Sequence, residues 1–261
     1  MRLLYIVVDD LNPSAAELKR LTAGGLAAVG EGSTFTVEPI DIGPAHYYEN
    51  AVGLAMCVPG ILLKLIERQG DFDAVLLGCW GDPGIRAART VSRIPVIGAA
   101  EASVTLSVLV AQRFGVVTIM GSDIPEIEAY LTGLGARERC VGINAVELPF
   151  YSLVDDPPET LRRVAEGSRE LIAAGADAIL LGCMSFGFYP FADQLEEQIG
   201  IPVVDPLRAG VAAARSALTL GVSPSPRYIP RLDDPEHLVS WLESVRSGLA
   251  ADASVGAAPA R

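Results

Sequence analysis

The stretch Asp73-Ala-Val-Leu-Leu-Gly-Cys79 occurs a second time as Asp177-Ala-Ile-Leu-Leu-Gly-Cys183. Six of the seven residues are identical, and the one difference is Val for Ile, between copies 104 residues apart (79 to 183). Further along, Ile94-Pro-Val-Ile97 is echoed by Ile201-Pro-Val-Val204 at a spacing of 107 (94 to 201). Each copy therefore reads strand, Gly-Cys, helix and Ile-Pro-Val strand. One such match could be chance, since strand–Gly turns are common in α/β chains. Two anchors at nearly equal spacing point instead to an internal duplication.

Outward from the repeat, short apolar runs at 3–8, 74–77, 96–98, 116–120, 178–181 and 202–204 predict strands. They are rich in Val, Ile and Leu without polar alternation, which suits strands buried on both faces of a parallel sheet. Helical patterns cover 14–21, 49–68, 102–113, 125–134, 158–173 and 206–220, and Pro59 should kink or split the second. The chain is α/β by this pattern. With the duplication it becomes two pseudo-symmetric lobes, each a mostly parallel sheet flanked by helices, with a cleft between them. Lobe 1 takes 1–97 plus 206–220 and lobe 2 takes 98–205. Residues 221–249 read as an extension with one helix, and 250–261, rich in Ala and Gly, as a flexible tail.

Composition removes several classes of chemistry. The chain of 261 residues carries 20 Lys+Arg against 32 Asp+Glu, a net charge of −12. That disfavours nucleic acid and anionic membrane surfaces. No apolar span reaches the ~18 residues of a membrane helix. The opening run is too short for a signal-peptide core and reads as a first strand, so a cytoplasmic protein with reduced cysteines is expected. There is no CxxC pair and no His pair, so no metal site is expected. The two lysines, Lys19 and Lys64, both fall on helical patterns as solvated positions, which leaves no evident Schiff-base lysine. GxxxxGK[ST] and GxGxxG loops are missing, so no cofactor is expected.

Cys79 and Cys183 stand just past the ends of apolar strands, the edge at which ligands bind in open α/β sheets. Two facing lobes would present one thiol each to a shared cleft. After Cys79, Asp82 is placed to cap the next helix and Pro83 to begin it, which would set the thiol near a helix N-terminus and favour the thiolate. Buried cysteines also serve simply as small apolar residues, the reading given to Cys57 and Cys140. Two thiols flanking one carbon can carry out acid–base chemistry beside a carbonyl or carboxylate. One removes a proton and the other supplies one to the opposite face. Backbone N–H groups beyond each Gly-Cys, with Ser185 and Thr118, are candidates to hold the intermediate. His46 could contact substrate or be an ordinary loop histidine. Arg86 and Arg89 fall on the helix after Cys79, where they could be solvated or hold a carboxylate.

From about residue 1 to about residue 220 the sequence resembles the aspartate/glutamate/hydantoin racemase superfamily, within it the hydantoin and allantoin racemase branch. Cys79-Trp-Gly-Asp-Pro-Gly84 is similar to that branch's Cys-Phe-Gly-Asp-Pro-Gly. Gly43-Pro44, Gly98-Ala-Ala-Glu-Ala102, Arg113-Phe-Gly-Val-Val-Thr118 and Leu181-Gly-Cys183 support it. The resemblance implies a cofactor-independent isomerase acting on an amino-acid derivative or hydantoin-like small molecule, assembled as a homo-oligomer, with catalytic cysteines at Cys79 and Cys183. It implies substrate anchoring by Thr118 and by the backbone around Gly78 and Gly182. Trp80 stands where the branch has Phe. The stretches 9–14 and 184–189 also differ, the second being larger and more aromatic. Cofactor-free decarboxylation, cis–trans isomerisation or a non-catalytic role on the same fold are the alternatives. Retention of both cysteines counts against the first, which needs one proton donor.

Overall fold

The computed structural model describes residues 1–8, 13–43, 51–148, 156–222, 224–232 and 235–253. The first half runs β1 (Arg2–Val7), α1 (Ala15–Val29), β2 (Thr34–Pro39), α2 (Ala51–Met56), α3 (Val58–Arg68), β3 (Ala74–Leu77), α4 (Ile85–Val91), β4 (Val96–Ile97) and α5 (Ala99–Val110). The second runs β5 (Phe114–Thr118), α6 (Ile124–Gly133), β6 (Cys140–Ala145), α7 (Pro157–Ala173), β7 (Ala178–Leu181), α8 (Phe191–Ile199), β8 (Val203–Val204) and α9 (Pro206–Leu220), followed by α10 (Glu236–Ala253). The sheets are β2-β1-β3-β4 and β6-β5-β7-β8, the same order in each half and parallel throughout. The α/β fold with two lobes expected from the repeat is therefore present.

Equivalence reaches individual hydrogen bonds. Asp73 accepts from Arg2 N–H and Asp177 from Arg113 N–H, both at 2.7 Å. Val75 N–H donates to Pro95 O and Ile179 N–H to Pro202 O, both at 2.9 Å. The repeated Asp and the repeated Ile-Pro-Val are thus the start of one strand and its ladder partner. Position 73/177 fixes where the central strand begins, so it also fixes where the strand ends, at the cysteine.

Helices following the last strand of each half cross to the other. The helix α5 packs on β7 and β8, α9 packs on β3 and β4, and the two helices contact each other. Small residues permit this close approach: Ala99, Ala100, Ala102 and Ser103 on α5, and Ala209, Gly210 and Ala214 on α9, are all buried. The core is accordingly continuous between the lobes, joining Tyr5 and Leu76 to Val116 and Leu180. Outer layers cover the far faces, with Ile61 and Leu65 of α3 on sheet 1 and Val164 and Leu171 of α7 on sheet 2. Leu242 of α10 seats against Leu63 of α3.

Several expectations are corrected. The edge strands β2 and β6 went unread, because Thr34-Phe-Thr-Val-Glu-Pro39 and Cys140-Val-Gly-Ile-Asn-Ala145 are largely half-exposed and lack a continuous apolar run. The first helix continues to Val29 and α5 begins at Ala99 rather than 102. Pro59 does mark a break, as the second residue of α3 after the chain interrupts at Cys57. Lys64 is not solvated: it is buried with its Nζ 2.7 Å from Asp41 and 3.9 Å from Glu38, carboxylates from β2 and the loop beyond it. Cys57 and Cys140 are buried within the fold, and burial pushes the Cys140 thiol up. The tail beyond 253 lies outside the described residues.

Leu76 and Leu180 occupy equivalent positions on β3 and β7 and are fully buried. Leu76→Ala and Leu180→Ala are each expected to cost about 2–5 kcal/mol. Urea unfolding measured side by side checks this, and comparable losses are expected because both leucines face the shared core.

Candidate active site

The C-terminal edges of both sheets open onto one cavity of about 530 Å³. Lobe 1 supplies Gly78, Cys79 and Trp80, and lobe 2 supplies Thr118, Gly182, Cys183 and Ser185. The structure thus brings together seven of the eight residues singled out from sequence. The eighth, His46, and the divergent residues 9–12 lie outside the described residues.

Glycine precedes each cysteine because the chain passes too close to its neighbour for a side chain. A Cβ on Gly78 would lie 2.4 Å from the Ile6 carbonyl oxygen, and one on Gly182 would lie 2.8 Å from Val116 Cγ1. The amides at these positions extend the ladder one residue past the strand. Gly78 N–H donates to Ile6 O at 2.9 Å and Gly182 N–H to Val117 O at 2.8 Å. The chain then turns identically after each thiol, with Asp82 N–H on Cys79 O and Phe186 N–H on Cys183 O, both at 3.2 Å. Cys79 is half-buried and Cys183 is 9% exposed.

The expected source of thiol activation is corrected. The helix after Cys79 begins only at Ile85, preceded by Gly84, and Asp82 does not cap it. Asp82 instead takes a left-handed backbone, φ 45°, and turns its side chain toward α5. Its carboxylate accepts from Ala100 N–H at 3.1 Å, from Glu101 N–H at 3.0 Å and from Tyr130 O–H at 2.6 Å. Gly81 N–H, in the same turn, donates to Cys79 Sγ at 3.4 Å. The donor at the Cys79 sulfur is thus a turn amide, where a helix terminus was expected.

Other groups are fixed around the cavity. Thr118 donates its hydroxyl to Asp123 Oδ2 at 3.2 Å, so toward a ligand it presents a lone pair. Burial raises the Asp123 carboxyl, and the Thr118 bond opposes that shift. Arg89 is committed to Glu101 and to Val96 O. Arg86 lies over the Tyr228 ring at 5.3 Å. Trp80 is 3% exposed, and among the described residues its Nε1–H has no acceptor. The larger, more aromatic stretch after Cys183 divides between cavity and core. Met184 and Ser185 reach the cavity, while Phe186 and Phe188 turn into the core, with Phe188 edge-on to Tyr5 at 5.3 Å.

Sequence reading missed Tyr5, Glu17, Tyr130 and Tyr228, which also line the cavity. Tyr5 sits inside an apolar strand, where a polar tip is the only hint. Tyr228 belongs to the extension at 221–249, outside the two lobes read from the repeat.

The fold and its paired thiols define a class of two-lobed α/β enzymes with an interlobe site. Comparison with known proteins is specific. The Asp/Glu/hydantoin racemase family matches residues 32–214. Hydantoin racemase of Pseudomonas sp. (strain NS671) is 33% identical over 249 residues, 92% of this chain and 96% of its own. Hydantoin racemase of Rhizobium meliloti is 36% identical over 182 residues, 68% of this chain and 73% of its own. Allantoin racemase from Klebsiella pneumoniae superposes with a TM-score of 0.79 at 29% identity, covering 89% of this chain and 94% of that one. The chain belongs to the Asp/Glu/hydantoin racemase family and is an isomerase acting on a small molecule.

Two outcomes are expected from this geometry. Tyr228→Ala opens one wall of the cavity, and steady-state kinetics on a bulky substrate should show KM raised several-fold with kcat within about twofold, the pattern of lost uniform binding. The second concerns pH. Burial pushes Asp82 up to about 7 and Asp205, likewise buried, up to about 6. A carboxyl that binds its proton more tightly folded than unfolded stabilises the fold fully below its unfolded value near 4. That contribution is lost as pH rises through 6–7. Urea midpoints should therefore decline from pH 5 to pH 8, and the decline should be shallower in Asp82→Asn.

Proposed function

We propose that the chain is a cofactor-independent racemase or epimerase of neutral, hydantoin-like rings, working through Cys79 and Cys183. One cysteine, as thiolate, takes the proton from the stereogenic carbon beside a carbonyl. The C–H bond breaks, an S–H bond forms, and the electron pair passes to the carbonyl oxygen as an enolate. The opposite thiol then gives its proton to the other face of the carbon, which inverts the centre and leaves a thiolate where the acid stood. Backbone amides past the two Gly-Cys turns and the Ser185 hydroxyl are the donors for the enolate oxygen. Thr118, as an acceptor, suits a ring N–H.

The observation that carries the reading is the equivalent placement of the two thiols on the strand edges of two lobes facing one cavity. Lining charge supports the substrate class. Glu17, Glu101, Asp123 and Glu126 outnumber Arg86 and Arg89, so an amino dicarboxylate would meet excess like charge. A neutral ring with N–H donors would not. Its carbon acid is also easier to ionise, because the enolate carries one negative charge where that of a carboxylate carries two. The same small molecule and the lack of a membrane-length helix among the described residues fit a cytoplasmic enzyme.

The test is solvent deuterium uptake and loss of optical rotation on 5-substituted hydantoins and on allantoin. Cys79→Ser and Cys183→Ser should each reduce racemisation at least about a hundredfold, the ordinary scale of general acid–base catalysis. Racemisation that survives both single changes would overturn the two-thiol mechanism.

A further inference from the structure

The turn after each cysteine lies against the helix that follows the Ile-Pro-Val strand, and the carboxylate that caps that helix comes from the cysteine turn in lobe 1 but from the helix's own N-cap in lobe 2. In lobe 1 the carboxylate belongs to the cysteine turn. Asp82 reaches across to the second and third amides of α5, Ala100 and Glu101. The position before α5 is Gly98, where a Cβ would fall 2.2 Å from Asp82 Oδ2. In lobe 2 the carboxylate belongs to the helix. Asp205, the residue before α9, accepts from Arg208 N–H at 2.9 Å and from Leu207 N–H, the third and second amides of α9. Here the cysteine turn supplies the glycine, Gly187, where a Cβ would fall 2.9 Å from Asp205 Oδ1. Gly98 and Asp205 are 107 residues apart, the spacing of the Ile-Pro-Val repeat itself.

Both carboxyls are buried, 2% and 5% exposed, and neither residue lines the cavity itself. Each takes the two amides that an N-cap side chain normally satisfies. Asp82 additionally accepts from Tyr130 of α6, so the Cys79 turn is held both to α5, which packs on the second sheet, and to α6 of the second half. The left-handed backbone of Asp82, uncommon for a residue other than glycine, is retained in this arrangement.

We propose that Asp82 is a positioning residue that fixes the turn carrying Cys79, a tie that Asp205, whose carboxylate caps its own helix, does not make for Cys183. For Cys79 the consequence is local. Asp82 adjoins Gly81, whose N–H is on the sulfur, so releasing the carboxylate lets that donor drift and disfavours the thiolate. The inference rests on the two cysteines being the reacting thiols. Its test, however, reads the thiols directly and needs no substrate.

Iodoacetamide labelling of the full chain, resolved by mass spectrometry for each cysteine across pH 6–9, measures both sites at once. Asp82→Asn should slow Cys79 labelling three- to tenfold near neutral pH and raise its midpoint, with Cys183 within twofold. Asp205→Asn, in which the amide oxygen still caps the same helix, should leave both thiols within twofold. Faster labelling of Cys79 would mean that the carboxylate acts only as a nearby negative charge, and would overturn the proposal. Equal changes at both thiols, or none, would overturn it too.

If Asp82→Asn does not fold, the exchange Asp82→Gly with Gly98→Asp transfers the lobe 2 arrangement to lobe 1. That double variant restores the cap of α5 without the tie to the turn, so it should slow Cys79 labelling as much as Asp82→Gly alone, and labelling within about twofold of the parent would overturn the proposal. Should Cys79→Ser and Cys183→Ser leave racemisation intact, the functional reading fails while the labelling result still decides the positioning.

Discussion

The constraint on which the molecule depends is the close approach of two backbones at the ends of β3 and β7. Gly78 and Gly182 each continue a ladder one residue beyond the strand, where the Ile6 carbonyl and the Val116 side chain leave no space for a Cβ. A ladder hydrogen bond in that position sets the direction in which the chain leaves the sheet. It also fixes the next residue, the cysteine, at the sheet edge. Since the strands start at Asp73 and Asp177, each bonded to the neighbouring strand's first amides, strand length is set from both ends. The thiol positions follow from sheet register rather than from loop conformation, and register slips move side chains to the wrong face.

The crossing helices turn two such edges into one site. Because α5 and α9 each leave one sheet and pack on the other, neither lobe completes its core alone. Apolar burial, the dominant favourable contribution to folding, therefore also holds the two edges face to face. The aromatic contact between Tyr5 of β1 and Phe188 of the turn after Cys183 adds a second bond between the lobes close to the cavity. In this fold the packing energy and the alignment of the site come from the same residues.

How far the sequence discloses this varies with the range of the interaction. The duplicated Asp-Ala-Val/Ile-Leu-Leu-Gly-Cys made the central strands, the lobe count and the convergence of Gly78, Cys79, Trp80, Thr118, Gly182, Cys183 and Ser185 legible, because each is a local pattern placed by a simple topology. Of the four edge strands, β4 and β8 were legible through the repeated Ile-Pro-Val, while Thr34–Pro39 and Cys140–Ala145, largely half-exposed and without a continuous apolar run, were not. Lys64 looked solvated on its own helix because the carboxylates that bury it, Asp41 and Glu38, come from a different element. Asp82 shows the same failure most clearly. Reading Asp-Pro as the start of the nearest helix is sound locally, yet the amides it satisfies are those of Ala100 and Glu101, 18 and 19 residues away.

Charge gives the last link between composition and chemistry. A net of −12 on a chain with two lysines and two histidines leaves few groups that titrate near neutrality. In the proposed mechanism thiols fill that role, since their ordinary value of about 8.5 lies within reach of pH 7 and a single turn amide can shift it. Thiols at that value are modest bases, and a carbon acid whose anion is delocalised into a neutral carbonyl asks less of them than one beside a carboxylate. The carboxylates around the cavity act in the same direction. They would raise the cost of a dianionic intermediate while leaving a singly charged enolate to the backbone donors at the two Gly-Cys turns. The neutral ring of the proposed function is thus the substrate class that suits the carboxylates lining the cavity, Glu17, Glu101, Asp123 and Glu126, rather than one set by the net charge of the chain.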